Sequence, residues 1–262
     1  DNLSRIFATA FLIAALLANI YAWHEPDRVQ RTAAQVYAGS AVAAALAGDL
    51  VTLFVFWELT AVSSVFLVWA SGTENAYRSG MRYLLIQVGS GVILLTGLIV
   101  HVTATGSISF DHLGLEAPGA WLIFLAFGIK CAFPLLHNWL QDAYSEATVT
   151  GTVVLSVFTT KLAVYTLARG FAGTEMLIWI GAAMAIFTIF YAVLENDLRR
   201  VLAYSLNNQL GFMVVGVGVG TELALNGVAA HAVASIFYKA LLFMSVGAVL
   251  FRTGSKNFTP RY

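Results

Sequence analysis

The 262-residue chain is 59% hydrophobic and only 11% charged, where a soluble domain carries roughly 25% charged residues, so it lacks the polar surface to cover itself in water. Its formal net charge is zero, which removes any bulk electrostatic argument for nucleic acid or an acidic partner. One cysteine, Cys131, excludes a disulfide and any cysteine-based metal site.

The apolar residues fall in runs of about 18 to 25, long enough to cross a hydrocarbon core of roughly 30 Å as α-helix. Backbone groups in lipid must be satisfied within the element, so these runs predict helices. They are expected at about 5–23, 32–48, 51–70, 80–103, 119–133, 147–168, 176–194, 200–220 and 224–251, an all-α polytopic bundle of about nine helices forming a single membrane domain over 1–262. The first run, Ile6 to Trp23, is long for a signal segment and reads as a spanning helix. The chain starts at Asp1 instead of a methionine and is expected to be a piece of something longer. In KCAFPLLHNWL, Pro134 removes a backbone donor and breaks the fifth helix, with a short second half expected over about 136–143. The GVGVG run at 216–220 has no preceding strand and is no nucleotide loop; its Gly216 and Gly220 predict a close helix contact.

Basic residues predict orientation. Arg28, Arg31, Arg78, Arg82, Arg199, Arg200, Arg252, Lys256 and Arg261 fall on alternate connections sharing one side, against Arg5 and Arg169 on the other. Positive charge accumulates on cytoplasmic loops, so 24–31, 71–79, 195–199 and the C-terminus are expected there. Arg199 and Arg200 are read as ordinary anchors on that side.

Four charges remain inside: Glu58, in the stretch FVFWELTAVSSVF, and Lys130, Lys161 and Lys239. At lipid-facing helix centres the four together would cost on the order of 10 to 14 kcal/mol, comparable with the whole stability of a domain. They are therefore expected to face one another or enclosed water, with Glu58 finding its cation on another helix. One reading is static ion pairs that hold the bundle together. The other is a proton relay, because burial makes a lysine give up its proton more easily, and Thr159, Thr160 and Tyr165 supply hydroxyls to order connecting water. His231, Ser235 and Lys239 share one helix face in AHAVASIFYKALLF. His231 alone reads as a packing histidine, but in line with Lys239 it reads as part of a polar track. His101 is expected at an interface. Asn207, Asn208 and Gln209 are placed to hydrogen-bond across the bundle. The break at Pro134 lies one turn from Lys130, with His137 and Asp142 following. These residues read either as a proton inlet, where freed backbone lines a wet cavity, or as a plain kink with Asp142 capping the next helix.

FVFWEL, GIKCAFPLLHNWLQDAYSEATVTGTVVLSVFTTKLAVYTLAR, ENDLRRVLAYSLNNQLGFM and HAVASIFYKALLF, in this order and spacing, resemble the antiporter-like membrane subunits: proton-pumping subunits of respiratory complex I, their relatives in membrane-bound hydrogenases, and the large subunits of Mrp-type cation/proton antiporters. The resemblance implies two inverted five-helix repeats, each with a broken helix and a half-channel, the first over about 32–168 and part of the second over about 176–252. It implies that Glu58 pairs with Lys130, that Lys161 is the central lysine, and that His231 and Lys239 belong to the polar track of the second half-channel. In this family the proline usually lies five residues after the broken-helix lysine; here Pro134 is four after Lys130. WLQDA stands where many relatives have WLPDA, and a usual proline before the next helix is replaced in YSEATVTG.

The expected function is proton translocation through a Glu/Lys/His/water relay, within a multi-subunit cation/proton antiporter or an NADH-quinone oxidoreductase-type pump. No bond-making chemistry, cofactor or metal is expected. The expected partners are other membrane subunits, lipid, H+ and possibly Na+, and the expected location is the bacterial cytoplasmic membrane. Two other classes stay open: a haem- or quinone-binding subunit, for which only His231 is deep enough, and an inert assembly scaffold.

Overall fold

The structure is a computed structural model and describes residues 1–255 and 257; Lys256 and Arg261, counted above for orientation, lie outside the described residues. Helices are α1 (Asn2–Tyr21), α2 (Arg28–Leu46), α3 (Leu50–Trp69), α4 (Glu74–Thr105), α5 (Ala120–Lys130), α6 (Asn138–Glu146), α7 (Val149–Val157), α8 (Thr159–Gly170), α9 (Glu175–Leu194), α10 (Leu198–Val219) and α11 (Glu222–Thr253). With α5–α6 and α7–α8 each forming one interrupted rod, the described residues build the nine rods expected. Six helical spans are long and apolar enough to cross a membrane, and α7 and α8 count together as one of them.

Among the described residues, seven of the eleven helix starts are capped by a side chain. Asp or Thr side chains accept from the orphan amides of the first turn: Asp49 from Thr52 N at 2.7 Å, Thr73 from Ala76 N at 3.1 Å, Thr148 from Gly151 N at 2.9 Å and Asp197 from Arg199 N at 2.9 Å. Leu12, Leu16, Leu85, Ile186, Phe190, Leu194 and Leu241 stay exposed on the outer faces, as suits helices whose solvent is hydrocarbon. The most apolar stretch of the α7–α8 rod is entirely buried, so this rod is the centre of the bundle.

Three details differ from the sequence-based expectation. The fifth helix already ends at Lys130, and Ala132 and Leu135 take positive φ on either side of Pro134; the second half starts at Asn138 instead of about 136. The expected single helix over 147–168 is interrupted at Phe158 (φ −96°, ψ −66°), a break carried by no proline or glycine and therefore invisible to local propensity. The glycine contact also lies elsewhere than expected. Gly216 does approach Val228 of α11, but Gly220 is the left-handed cap that ends α10, packed on Gly173. The close contact of α9 and α10, the most extensive helix pair, runs through Gly181 and Gly211: a methyl on Gly181 would come within 2.6 Å of the Gly211 carbonyl oxygen.

Candidate functional site

Lys130 is fully buried at the C-terminus of α5. Its ammonium donates to the Trp57 carbonyl at 2.7 Å and the Thr60 hydroxyl at 2.9 Å, and sits 4.1 Å from the centre of a Trp57 ring. All three groups belong to the turn of α3 that carries Glu58. With its ammonium engaged by these groups, Lys130 forms no direct ion pair with Glu58. The carboxylate lies over Gly91 of α4, and its buried Oε1 has no hydrogen-bond partner among the described residues.

Lys161 is also fully buried, and its Nζ donates to the Ser156 carbonyl at 2.8 Å, across the break between α7 and α8. Lys239 on α11 is almost fully buried and donates to Ser205 Oγ of α10 at 2.6 Å. His231 Nε2 donates to Gln209 Oε1 at 2.9 Å, Gln209 donates to Asn208 Oδ1 at 3.2 Å, and Asn208 donates to the Ala185 carbonyl of α9 at 2.7 Å. The amides of α10 thus do bond across the bundle, with Asn207 the exception: neither its Oδ1 nor its Nδ2 has a partner among the described residues. Lys130, Lys161 and Lys239 are buried inside the bundle, and Glu58 and His231 are half-buried. Each lysine is held by carbonyl or hydroxyl oxygen. Among the described residues none is held by a carboxylate.

Other expected residues make contacts of their own. Asp142 lies mid-way along α6, 3.1 Å from Arg82 and 3.7 Å from Arg200, so it bridges arginines instead of capping a helix. It lines an open cleft of about 720 Å³ with Ser79, Arg82, Glu146 and Arg200 on the basic side. His137 packs its ring 4.7 Å from that of Phe187. Tyr165 bonds Ser4 at 2.8 Å and accepts from Arg169 at 2.7 Å. His101 is buried and bonds the Pro118 carbonyl at 3.2 Å. Arg199 is no ordinary anchor: it is buried and donates to the Ala147 and Thr148 carbonyls at 2.7 and 3.1 Å and to the Thr152 hydroxyl.

Several partners escaped the sequence reading. Thr60, Ser156 and Ser205 hold the lysines, and further hydroxyls meet between α3 and α4 and between α2 and α8. The Ser64 and Tyr83 hydroxyls are 2.7 Å apart, and the Thr159 hydroxyl and amide both contact the Tyr37 hydroxyl at 2.5 and 3.0 Å. The one available signal was polar residues recurring on the inner face of α4 (Ser79, Tyr83, Gln87, Ser90), all buried. Among the described residues, no group of three or more His, Cys, Asp or Glu side chains is placed to hold a metal ion.

Residues 47–260 match the family described as NADH:quinone oxidoreductase/Mrp antiporter, transmembrane. The chain is 30% identical to a Na(+)/H(+) antiporter subunit of Alkalihalophilus pseudofirmus, over 81% of this chain and 47% of that protein. It is 27% identical to NADH-quinone oxidoreductase subunit M of Pseudomonas aeruginosa, over 98% of this chain and 57% of that protein. Its fold matches a chain of the Mrp complex from Dietzia sp. DQ12-45-1b with a TM-score of 0.81, at 22% identity, over 93% of this chain and 51% of that one. It matches a chain of an archaeal membrane-bound sulfane sulfur reductase with a TM-score of 0.86, at 24% identity, over 96% and 57%. The chain spans about half the length of the curated relatives it matches. A bundle of apolar helices with a polar interior, matched by this family over most of its length, makes the chain a multi-pass membrane protein belonging to the NADH:quinone oxidoreductase/Mrp antiporter transmembrane family.

Proposed function

We propose that this chain carries protons through Glu58, Lys130, Lys161, Lys239 and His231, as part of a multi-subunit cation/proton antiporter or NADH-quinone oxidoreductase-type pump in the bacterial cytoplasmic membrane. One observation carries the reading: the buried lysines are solvated by neutral oxygen atoms and by no carboxylate. A static pair would fix each charge, since removing one partner of a buried pair leaves a costly orphan. Carbonyls and hydroxyls accept from an ammonium, and a hydroxyl can also donate to the neutral amine. Each lysine can then exist in either protonation state without dismantling its surroundings. Intramembrane ionisable residues that face a bundle interior mark such pathways in general. The cleft at Asp142, Arg82 and Arg200 serves as the inlet on the cytoplasmic side, where the basic loops and the C-terminus lie. Residues 32–168 act as one five-helix repeat, and 176–252 as part of a second. Other membrane subunits supply the driving force, and H+, with Na+ as the candidate counter-ion, is what moves.

The test is Lys161→Ala in everted membrane vesicles containing the intact protein. Proton movement read by a pH-sensitive dye is expected to fall to background while the protein stays in the membrane at normal level. Full transport in the variant, or loss of the assembled protein with no selective loss of transport, would overturn the relay in favour of a scaffold. A sodium pulse to energised vesicles then separates antiport, which discharges the gradient, from a redox pump, which leaves it standing.

A further inference from the structure

The register between α3, α4 and α5 is set by a chain of polar contacts: Trp57 Nε1 donates to Ser90 Oγ at 3.3 Å, and Ser90 Oγ donates to the Ala126 carbonyl of α5 at 2.8 Å. About two turns toward the basic side, Ser64 and Tyr83 bond at 2.7 Å. These contacts place Gly91 directly against Glu58. A Cβ built on Gly91 would overlap Oε1 and Cδ of that carboxylate and crowd Cγ behind it, so no residue other than glycine leaves the carboxylate where it is. Gly89, two residues away on the same helix, has open space instead, with nothing within 4 Å of its Cβ position.

The consequence lies in what Glu58 is not doing. Its nearest cation, Lys130, is occupied by the Trp57 carbonyl and the Thr60 hydroxyl, and the carboxylate rests apart on the backbone of α4. We propose that Gly91 is a positioning residue of the relay: lacking a side chain, it provides the withdrawn resting place from which Glu58 approaches and leaves Lys130. A methyl group at this position removes that place and confines the carboxylate to the Lys130 side or the lipid side. The relay then loses one of the two arrangements between which its first ion pair alternates. The inference rests on the proton-relay reading above.

The experiment compares proton movement in everted vesicles carrying the intact protein as Gly89→Ala, Gly91→Ala, Glu58→Gln, Glu58→Asp, Gly91→Ala with Glu58→Gln, and Gly91→Ala with Glu58→Asp. Gly91→Ala is expected to lower the rate by at least about tenfold, in line with the cost of ångström-scale misplacement of a reacting group, and Gly89→Ala to leave it unchanged. Adding Gly91→Ala to Glu58→Gln is expected to cause no further loss. Shortening the side chain by one C–C bond of about 1.5 Å draws the carboxylate back from the new methyl. Glu58→Asp is therefore expected to restore transport in the Gly91→Ala background to the level of Glu58→Asp alone. Unchanged transport in Gly91→Ala, losses that multiply with Glu58→Gln, or failure of Glu58→Asp to restore would each overturn the positioning role. If Gly91→Ala does not assemble, assembly becomes the readout, and its recovery or non-recovery with Glu58→Asp decides in the same way. Full transport in Glu58→Gln is a different failure, because it would remove Glu58 from the relay and overturn the reading beneath the inference.

Discussion

A buried ammonium surrounded by neutral oxygen is a different object from a buried ion pair. Lys130, Lys161 and Lys239 each satisfy part of their hydrogen-bonding capacity on carbonyls and hydroxyls. Hydrogen bonds to a charged group contribute about 1.5 to 3 kcal/mol each. That is well below the burial cost of an isolated charge, so these contacts hold the side chains in place without committing them to one protonation state. Outside the membrane span, Asp49 shows the opposite case. Its carboxylate accepts from both the amide and the hydroxyl of Thr52 at 2.7 Å, which holds its pKa below the ordinary value. A lowered carboxylate pKa stabilises the fold above the unfolded-state value and loses that contribution as the pH falls through the folded one. Asp49→Ala is expected to cost about 1 kcal/mol at neutral pH, read as a lower unfolding midpoint in detergent. The difference from wild type should fade as the pH drops below about 3.9, the usual value for aspartate. A difference that persists at lower pH would show that the cap acts through something other than the charge.

Interrupted helices expose backbone groups that lipid cannot satisfy, and here side chains from other elements do so. The Ile129 carbonyl near the end of α5 accepts from Trp139 Nε1 at 3.1 Å, the Leu155 carbonyl of α7 accepts from the Tyr144 hydroxyl at 2.7 Å, and Tyr37 meets the first amide of α8 at 3.0 Å. At the junction of α6 and α7, one terminal nitrogen of Arg199, Nη2, meets two carbonyls and a hydroxyl. Arg199→Ala leaves these acceptors buried and is expected to cost on the order of 3 kcal/mol, measured as a fall in the thermal midpoint of the detergent-solubilised protein. Arg199→Lys, whose shorter side chain ends in a compact ammonium, should recover only part of it. An unchanged midpoint in Arg199→Ala would mean that the junction is satisfied without the arginine.

At the scale of the molecule, apolar side chains such as Leu16, Leu85, Ile186 and Phe190 form the outer surface, and basic residues gather at one end. In a Cys131→Ser background, cysteines replacing Asn75 and Asn196 are expected to react with an impermeant maleimide in inside-out vesicles only. A cysteine replacing His112 should react only from the opposite side. The reverse pattern would invert the orientation and move the Asp142 cleft to the outer face.

Length of run, hydropathy, loop charge and the presence of Glu58 and three lysines within apolar segments are properties of consecutive residues, so the membrane class, the number of rods and the ionisable residues could be read from the chain alone. So could the break near Lys130, because Pro134 announces it locally. The break at Phe158 could not, because what satisfies it is Tyr37, more than a hundred positions away. Nor could the roles of Thr60, Ser205, Gly91 and Arg199, none of which has a distinguishing local pattern. A serine on α10 becomes a lysine's acceptor, and a glycine on α4 a carboxylate's resting place, through the axial register between neighbouring helices. That register is set by packing and by a few polar contacts such as Trp57 to Ser90, and no stretch of sequence contains it.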